Sequence, residues 1–259
     1  MKIITSTDNP LIRQIMRLTK EFSYREEVGQ AVIEGIHLVE AALKSNQVKI
    51  HTLVVDKEKS TNQELMALVN AYQGEWIEVP QGVFKKISTL TSPDGLLAVV
   101  DIKLPVSPLK NSGFCLVLDS IQDPGNVGTL LRSAAASGFN KVVLSPGCAH
   151  AWSPKVIRAG MGAHFILEIH EQVALSAFLV ETEQPIWLAA LSVKSKDYRQ
   201  LNLSSAFTLV IGNEGSGIDP SLLDHHPHHL NIPMMNKVES LNAAIAGSII
   251  MFESLRQRL

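Results

Sequence analysis

The sequence predicts an α/β protein made of two layered units. Short apolar runs of strand character alternate along the chain with segments of helical periodicity. A stretch rich in proline and serine, with no periodicity, interrupts that alternation at LPVSPLKNS (104–112). Beyond it, strands are followed by glycine-rich polar loops, and ligands of parallel α/β sheets bind at such places, beyond the carboxyl ends of the strands. The expected organisation is therefore a small N-terminal α/β domain over 1–103, a linker at 104–112, and a larger parallel-sheet domain over 113–259.

The elements of the first unit follow in order. Asn9 to Phe22 carries Leu11, Ile12, Ile15 and Met16 at helical spacing, with Asp8 or Asn9 available as cap and Pro10 early in the helix. QAVIEG (30–35) reads as a strand ending at Gly35, and IHLVEAALKS (36–45) as a helix. IHTLVVD (50–56) is a buried type of strand, followed by a helix over Asn62 to Tyr72. WIEVP (76–80) and GLLAVVDI (95–102) are further strands, separated by a short helix at Gln81 to Thr89.

In the second unit, FCLVLDS (114–120) is a strand and NVGTLLRSAAASG (126–138) a helix closed by Gly138. KVVLS (141–145), SPKVIRAG (153–160), HFILEIH (164–170) and QVALSAFLVET (172–182) continue as strand, helix, strand and helix. PIWLAALS (185–192), FTLVIG (207–212) and the short LNIPM (230–234) are strands, and the last helix runs from Ser240 to Arg256. Regular β/α alternation of this kind implies a parallel sheet with right-handed crossovers.

Composition narrows the function classes. Hydrophobic residues are 46% and charged residues 19% of the 259, which suits a soluble domain with a substantial core. No apolar run reaches the ~20 residues a membrane span requires, and the first residues lack a secretory apolar core. Cys115 and Cys148 lie in apolar strand surroundings and read as reduced core residues of a cytoplasmic protein. A net charge of −2 does not by itself point to nucleic acid. Arg13, Arg17, Lys20 and Arg25 do fall at near-helical spacing, as a basic helix face would. In HHPHH (225–229), Pro227 breaks helical spacing and no cysteine or carboxylate set accompanies the histidines, so a metal site is not expected.

Chemistry concentrates in three loops of the second unit. DSIQDPGNVGTLLRSA (119–134) enters a helix at Asn126, where Asn126 or Gly125 can cap it and leave N–H groups for an anion. Arg132 lies on that helix among small apolar residues. In IGNEGSGIDP (211–220), glycines at 212, 215 and 217 permit close backbone approach, but the loop is neither a dinucleotide fingerprint nor a P-loop. In IPMMNKVESLNAAIAGS (232–248), Ser240 can cap the last helix and Asn242 stands in its first turn, either as a hydrogen-bonding site residue or as a capping asparagine.

Taken together, DPGNVGTLLRSA, IGNEGSGI and IPMMNKVESLNAA, each after a strand, resemble the three motifs of the SpoU (TrmH-like) RNA ribose methyltransferases across 113–259. YREEVGQAVIEGIHLVEAAL (24–43) resembles the substrate-binding domain often fused to them. The resemblance implies a SPOUT fold with a deep trefoil knot, S-adenosyl-L-methionine as cofactor, and a homodimer acting on structured RNA. Ribosomal RNA is the expected substrate and transfer RNA the alternative; a non-catalytic RNA-binding protein is a competing reading. It implies cofactor contacts from Leu191, Gly212, Asn213, Gly215, Ile232, Pro233, Met234 and Leu241. It implies catalytic roles for Arg132, Asn126, Glu214 and Asn242, and RNA contacts from Arg13, Arg17, Lys20 and Arg25 in the N-terminal unit. A guanidinium has a pKa above ~12, so Arg132 is read as a phosphate and alkoxide binder rather than a base. The chain departs from the family pattern at Ala244 and Gly160, where relatives commonly carry serine.

Overall fold

The computed structural model describes residues 2–45, 47–102, 113–236 and 238–259. The predicted linker at 104–112 lies outside them. The described residues divide into two compact units. One contains those up to Ile102 together with Trp152–Phe165, and the other the rest, from Gly113 onward.

The first unit contains β1 (Lys2–Ile3), α1 (Pro10–Lys20), α2 (Phe22–Val28), β2 (Gln30–Glu34), α3 (Ile36–Ser45), β3 (Ile50–Asp56), α4 (Gln63–Ala71), β4 (Trp76–Val79), α5 (Gln81–Ile87) and β5 (Leu96–Asp101). Its sheet has the order β1-β4-β3-β5-β2. β1, β4 and β3 run parallel, and β5 is antiparallel to both its neighbours. The apolar positions read from the sequence account for its core. Ile12, Ile15 and Leu18 of α1 pack with Val32, Val54, Ile77, Phe84, Leu97 and Val99.

Asn9 rather than Asp8 caps α1, accepting from the Leu11 N–H at 3.0 Å. The solvent face of α1 carries Arg13, Arg17 and Lys20. Helix α2 has no counterpart among the sequence expectations, because its two turns are too short to show periodicity. It is set off from α1 by Glu21, whose extended backbone interrupts the helix, and ends on Gly29 in the left-handed region. This turn corrects the reading of Arg25 as an RNA contact. Its side chain is buried, with the residue only 4% exposed, and its Nη1 donates to the Leu18 carbonyl at 2.8 Å. Arg25 fastens α2 to the end of α1 instead of presenting its charge to solvent.

The second unit is built on a seven-stranded parallel sheet. Its elements are β6 (Cys115–Asp119), α6 (Pro124–Ala136), β7 (Lys141–Leu144), β8 (Glu168–His170), α8 (Leu175–Val180), β9 (Ile186–Ala189), β10 (Ser195–Asp197), β11 (Thr208–Gly212), α9 (Pro220–His225), β12 (His229–Asn231) and α10 (Ala243–Arg258), in the sheet order β10-β12-β9-β11-β6-β7-β8. Between β7 and β8 the chain forms α7 (Pro154–Gly160), which groups with the first unit. The predicted strand at 164–170 is shorter in the structure. Met161 and Gly162 both take positive φ, and the 3₁₀ turn Ala163–Phe165 follows, leaving Glu168–His170 as strand. No helix among the described residues is long and apolar enough to cross a membrane.

Burial on both faces explains the near-continuous apolar runs of β6 and β11. Cys115 and Cys148 are buried free thiols, and burial pushes both up, Cys115 to about 12. They therefore stay protonated and inert. On α10, Gly247 permits close approach to α6 and β11. A Cβ there would stand 2.5 Å from Leu130 Cδ2 and 3.4 Å from Ile211 Cγ1. One residue on, Ser248 Oγ lies 2.7 Å from Ser133 Oγ of α6.

The Arg25 assignment makes a stability prediction. Arg25→Met, which keeps the aliphatic bulk but loses a charged hydrogen bond, should lower unfolding free energy by about 1.5–3 kcal/mol in urea titration. Lys20→Met on the exposed face should stay within about 0.5 kcal/mol. Equal effects of the two would show that Arg25 has no clamping role.

Candidate active site

The site is assembled where β6, β11, β9 and β12 end. In the sheet register Gly212, the last residue of β11, pairs with Asp119, the last of β6. Immediately beyond, Ser120 takes φ 57°, a conformation unfavourable for a residue with a side chain. Several bonds hold it there. Its N–H donates to Ser145 Oγ at 2.8 Å, and its carbonyl accepts from Asn213 Nδ2 at 2.7 Å. Asp119 is buried and accepts from the Asp219 N–H at 2.8 Å, so the β6 strand end also fixes the far side of the glycine loop. Asp119, Ser120 and Ser145 were not among the sequence candidates. The available signal was a carboxylate closing an otherwise apolar strand.

Asn213 builds the glycine loop. Its backbone exchanges both hydrogen bonds with Gly217, at 2.9 and 3.0 Å, and its Oδ1 accepts from the N–H groups of Gly215 and Ser216 at 2.9 and 3.0 Å. Gly212 is required by contact rather than by dihedral angle, because a Cβ there would lie 2.4 Å from both Gly217 C and Ile218 N. Gly215 is open, with only Asn213 Oδ1 at 3.5 Å.

Three of the predicted catalytic residues meet in one hydrogen-bonded chain. Asn242, and not Ser240, caps α10, its Oδ1 accepting from the N–H groups of Ala244 and Ile245 at 2.9 and 3.2 Å. Backbone N–H groups only donate, so this fixes the amide and turns Nδ2 outward. Nδ2 donates to Asn126 Oδ1 at 2.9 Å, which orients the second amide, and Asn126 Nδ2 donates to Glu214 Oε1 at 2.8 Å. Asn242 thus both caps α10 and takes part in a side-chain hydrogen-bonded chain. Asn126 itself sits in the first turn of α6, which is capped by Asp123 rather than by Asn126 or Gly125 (Asn126 N–H to Asp123 Oδ1, 2.8 Å).

Arg132 is not part of this chain. It is exposed on α6, and six residues of helix place it about 120° round the axis from Asn126. Among the described residues it forms no hydrogen bond or ion pair.

Beside the amide chain lies an apolar pocket at the ends of β9 and β12. Its walls include Ala190, Leu191, Ile232, Met234 and Leu241. Leu191, Ile232, Met234 and Leu241 were all predicted as cofactor contacts. Gly212, Asn213 and Gly215 instead form the glycine loop, and Pro233 lies between two wall residues in the chain. Leu191 is 65% exposed, an apolar side chain standing uncovered at the rim. Ala189, Asn231 and Ser240 also line the pocket and were not anticipated. Ala244 is buried and, as an alanine, offers no hydroxyl. Of the histidine run, His225 ends α9 and His229 enters β12. Among the described residues, no three His, Cys, Asp or Glu side chains gather as a metal site.

Comparison with known proteins gives a consistent picture. The profile of the SpoU rRNA Methylase family matches residues 113–252, and that of the MRM3-like substrate binding domain matches 9–98. The chain is 31% identical over 256 residues to the 23S rRNA (guanosine(2553)-2'-O)-methyltransferase RlmP of Bacillus subtilis, covering 97% of this chain and 98% of that protein. It is 31% identical to an uncharacterized tRNA/rRNA methyltransferase of Synechocystis, covering 98% and 94%. Among solved structures, the AdoMet-bound rRNA methyltransferase of Sinorhizobium meliloti superposes with a TM-score of 0.84 at 29% identity, covering 100% of this chain and 98% of that one.

The contrast between two loop glycines can be measured. Gly212→Ala drives a Cβ into backbone and should cost at least about 3 kcal/mol or prevent folding. Gly215→Ala should stay within about 1 kcal/mol. Comparable stability of both variants in chemical denaturation would mean that the loop does not close on Gly212.

Proposed function

Because the chain belongs to the SpoU rRNA methylase family, we propose that it transfers the methyl group of S-adenosylmethionine to a ribose 2′-hydroxyl of ribosomal RNA. The observation that carries this reading is the adjacency of pocket and polar chain. Leu241 lines the apolar pocket, and the next residue, Asn242, begins the hydrogen-bonded chain through Asn126 to Glu214. The pocket suits the cofactor chemically, since aliphatic walls at strand ends accept an adenine face and the methylene groups that flank the sulfonium. Leu191, Ile232, Pro233, Met234 and Leu241 would hold it, with the Gly212–Asn213–Gly215 loop closing the adjoining side.

When bound, S-adenosylmethionine supplies a methyl group on a positively charged sulfur, reactive without further activation. The chain's own residues must align the acceptor hydroxyl and make loss of its proton less costly. Asn126 and Glu214 shape the place for the ribose. Arg132, permanently charged, binds the neighbouring phosphate and stabilises the developing alkoxide. Because Arg132 faces away from its own amide chain, the reading includes a homodimer in which it serves the site of the second copy. Ile245 and Phe252, 52% and 46% exposed and two turns apart on α10, support such a face. Arg13, Arg17 and Lys20 are the RNA contacts of the N-terminal unit. A knotted path after β12 and a cytoplasmic location complete the proposal, the latter in line with a bacterial rRNA-methylating relative.

Mapping ribose methylation in cellular RNA with and without the gene tests the substrate. One missing 2′-O-methyl in ribosomal RNA, restored by the wild-type chain, is the expected result; a missing site in transfer RNA would move the substrate there, and no missing site would overturn the reading. Arg132→Ala and Arg132→Lys should both lose most turnover, with the lysine variant retaining more RNA affinity, and near-wild-type turnover of Arg132→Ala would remove Arg132 from the mechanism. Asn242→Asp separates capping from orientation. The carboxylate still caps α10, so stability should hold within about 0.5 kcal/mol. Without the Nδ2 donor, Asn126 turns and presents Oδ1 to Glu214, so turnover should fall at least about tenfold.

A further inference from the structure

His229 is a histidine in a strand position that burial would ordinarily give to an apolar residue. It is the first residue of β12, 3% exposed, and pairs in register with Leu188 of β9 and Ser195 of β10. Its ring is fully engaged. Nε2 faces two carbonyl oxygens, of His226 at 2.9 Å and Leu223 at 3.2 Å, and Nδ1 lies 2.7 Å from Ser192 Oγ. Carbonyl oxygens only accept, so Nε2 carries the proton, and in the neutral ring Nδ1 accepts from the Ser192 hydroxyl.

For the neutral ring the protons around Ser192 can then be assigned, the Ser192 and Ser195 hydroxyl oxygens themselves lying 3.0 Å apart. The Ser195 hydroxyl donates to the Ala190 carbonyl at 2.6 Å while its oxygen accepts from the Ser192 N–H at 3.0 Å. With the Ser195 proton committed, the Ser192 proton goes to His229, and Ser192 Oγ accepts in turn from the Lys194 N–H at 3.2 Å. A continuous set of bonds therefore runs from the end of α9, through His229, to the Ser192–Ser195 turn and the carbonyl of Ala190. Ala190 and Leu191 are a wall of the apolar pocket.

We propose that His229 is a positioning residue of the cofactor pocket, holding the Ala190–Leu191 wall through Ser192 and Ser195. The inference rests on the reading of that pocket as the S-adenosylmethionine site. Leu191 is 65% exposed, so packing fixes it only in part; the wall therefore depends on the turn behind it, and the turn depends on the His229 acceptor.

The test is calorimetric titration of S-adenosylmethionine into the full-length wild-type chain and its variants, with thermal melts run on each. His229→Phe preserves bulk and removes the bonds of both ring nitrogens, whereas Ser192→Ala removes only the link. Each should weaken cofactor binding about tenfold. The double variant should be no weaker than either single one, because both cut the same connection. His229→Asn, whose Oδ1 replaces the Nδ1 acceptor, should recover most of the affinity, and in turnover the defect should fall on KM for the cofactor rather than on kcat. Should His229→Phe fail to fold, Ser192→Ala on the exposed turn carries the test alone. Unchanged affinity of Ser192→Ala, or full additivity in the double variant, overturns the proposal while leaving the pocket assignment intact. Failure of the wild-type chain to bind the cofactor overturns the pocket assignment, and this proposal with it.

Discussion

The parallel pairing of β6 with β11 is the constraint on which the site depends. Its register sets Asp119 against Gly212, and the two loops that leave those residues are then bound to each other by polar contacts that no other register would align. Asp119 reaches the Asp219 N–H, and Asn213 reaches the Ser120 carbonyl. The positive φ of Ser120 costs on the order of 1 kcal/mol or more, and those bonds compensate for it. Gly212 admits Gly217 and Ile218 against its Cα, so the glycine loop folds back tightly instead of projecting. Glu214 is presented from that turn, and its position is inherited from the sheet.

A second constraint comes from the other end of the sequence. α10 has donors to satisfy at its start, and Asn242 satisfies two of them while passing orientation to Asn126 and Glu214. The helix terminus thus fixes which atom of each amide faces which partner. Residues from three distant segments of the chain share one polarity, set by the donors of a helix packed on α6 and β11 through Gly247. Under the proposed function, a site ordered in this way would need little rearrangement when charge develops, which is the condition for electrostatic stabilisation of a transition state.

Most of this fold was legible in the sequence, and the losses have physical causes. Long apolar strands and helices with clear periodicity were placed correctly because burial writes a period into the residues. β10, with the polar sequence SKD, and the six-residue α9 carry too little pattern to register. Arg25 looked like a surface cation because spacing reveals a helix face but not the interruption at Glu21 that turns it inward. In the candidate site, the resemblance to the family motifs implied Asn126, Glu214 and Asn242, and the structure joins these three by hydrogen bonds. What periodicity did not supply was the supporting layer of Asp119, Ser120, Ser145 and His229, for which the one mark in the sequence was the Asp119 carboxylate closing an apolar strand. Their importance lies in contacts between loops distant in sequence, which leave no periodic mark.

The same distinction bears on how a chain of net charge −2 would hold RNA. In the proposed N-terminal contact face, Arg13 is paired with Asp8 at 2.7 Å, and Arg17 is paired with Glu21 at 3.0 Å and lies over the Tyr24 ring. Exposed pairs of this kind contribute only about 0–1 kcal/mol, so a phosphate can displace the carboxylate at small cost. The displaced carboxylates would nevertheless remain nearby and reduce the attraction, so this proposed face alone would release few counterions and give weak, shallowly salt-dependent binding. Affinity must then come largely from shape and from the number of contacts made at once. A homodimer presenting two such faces with two methyl-transfer sites would supply both, and local pairing of cations with acids would keep the chain from binding RNA indiscriminately.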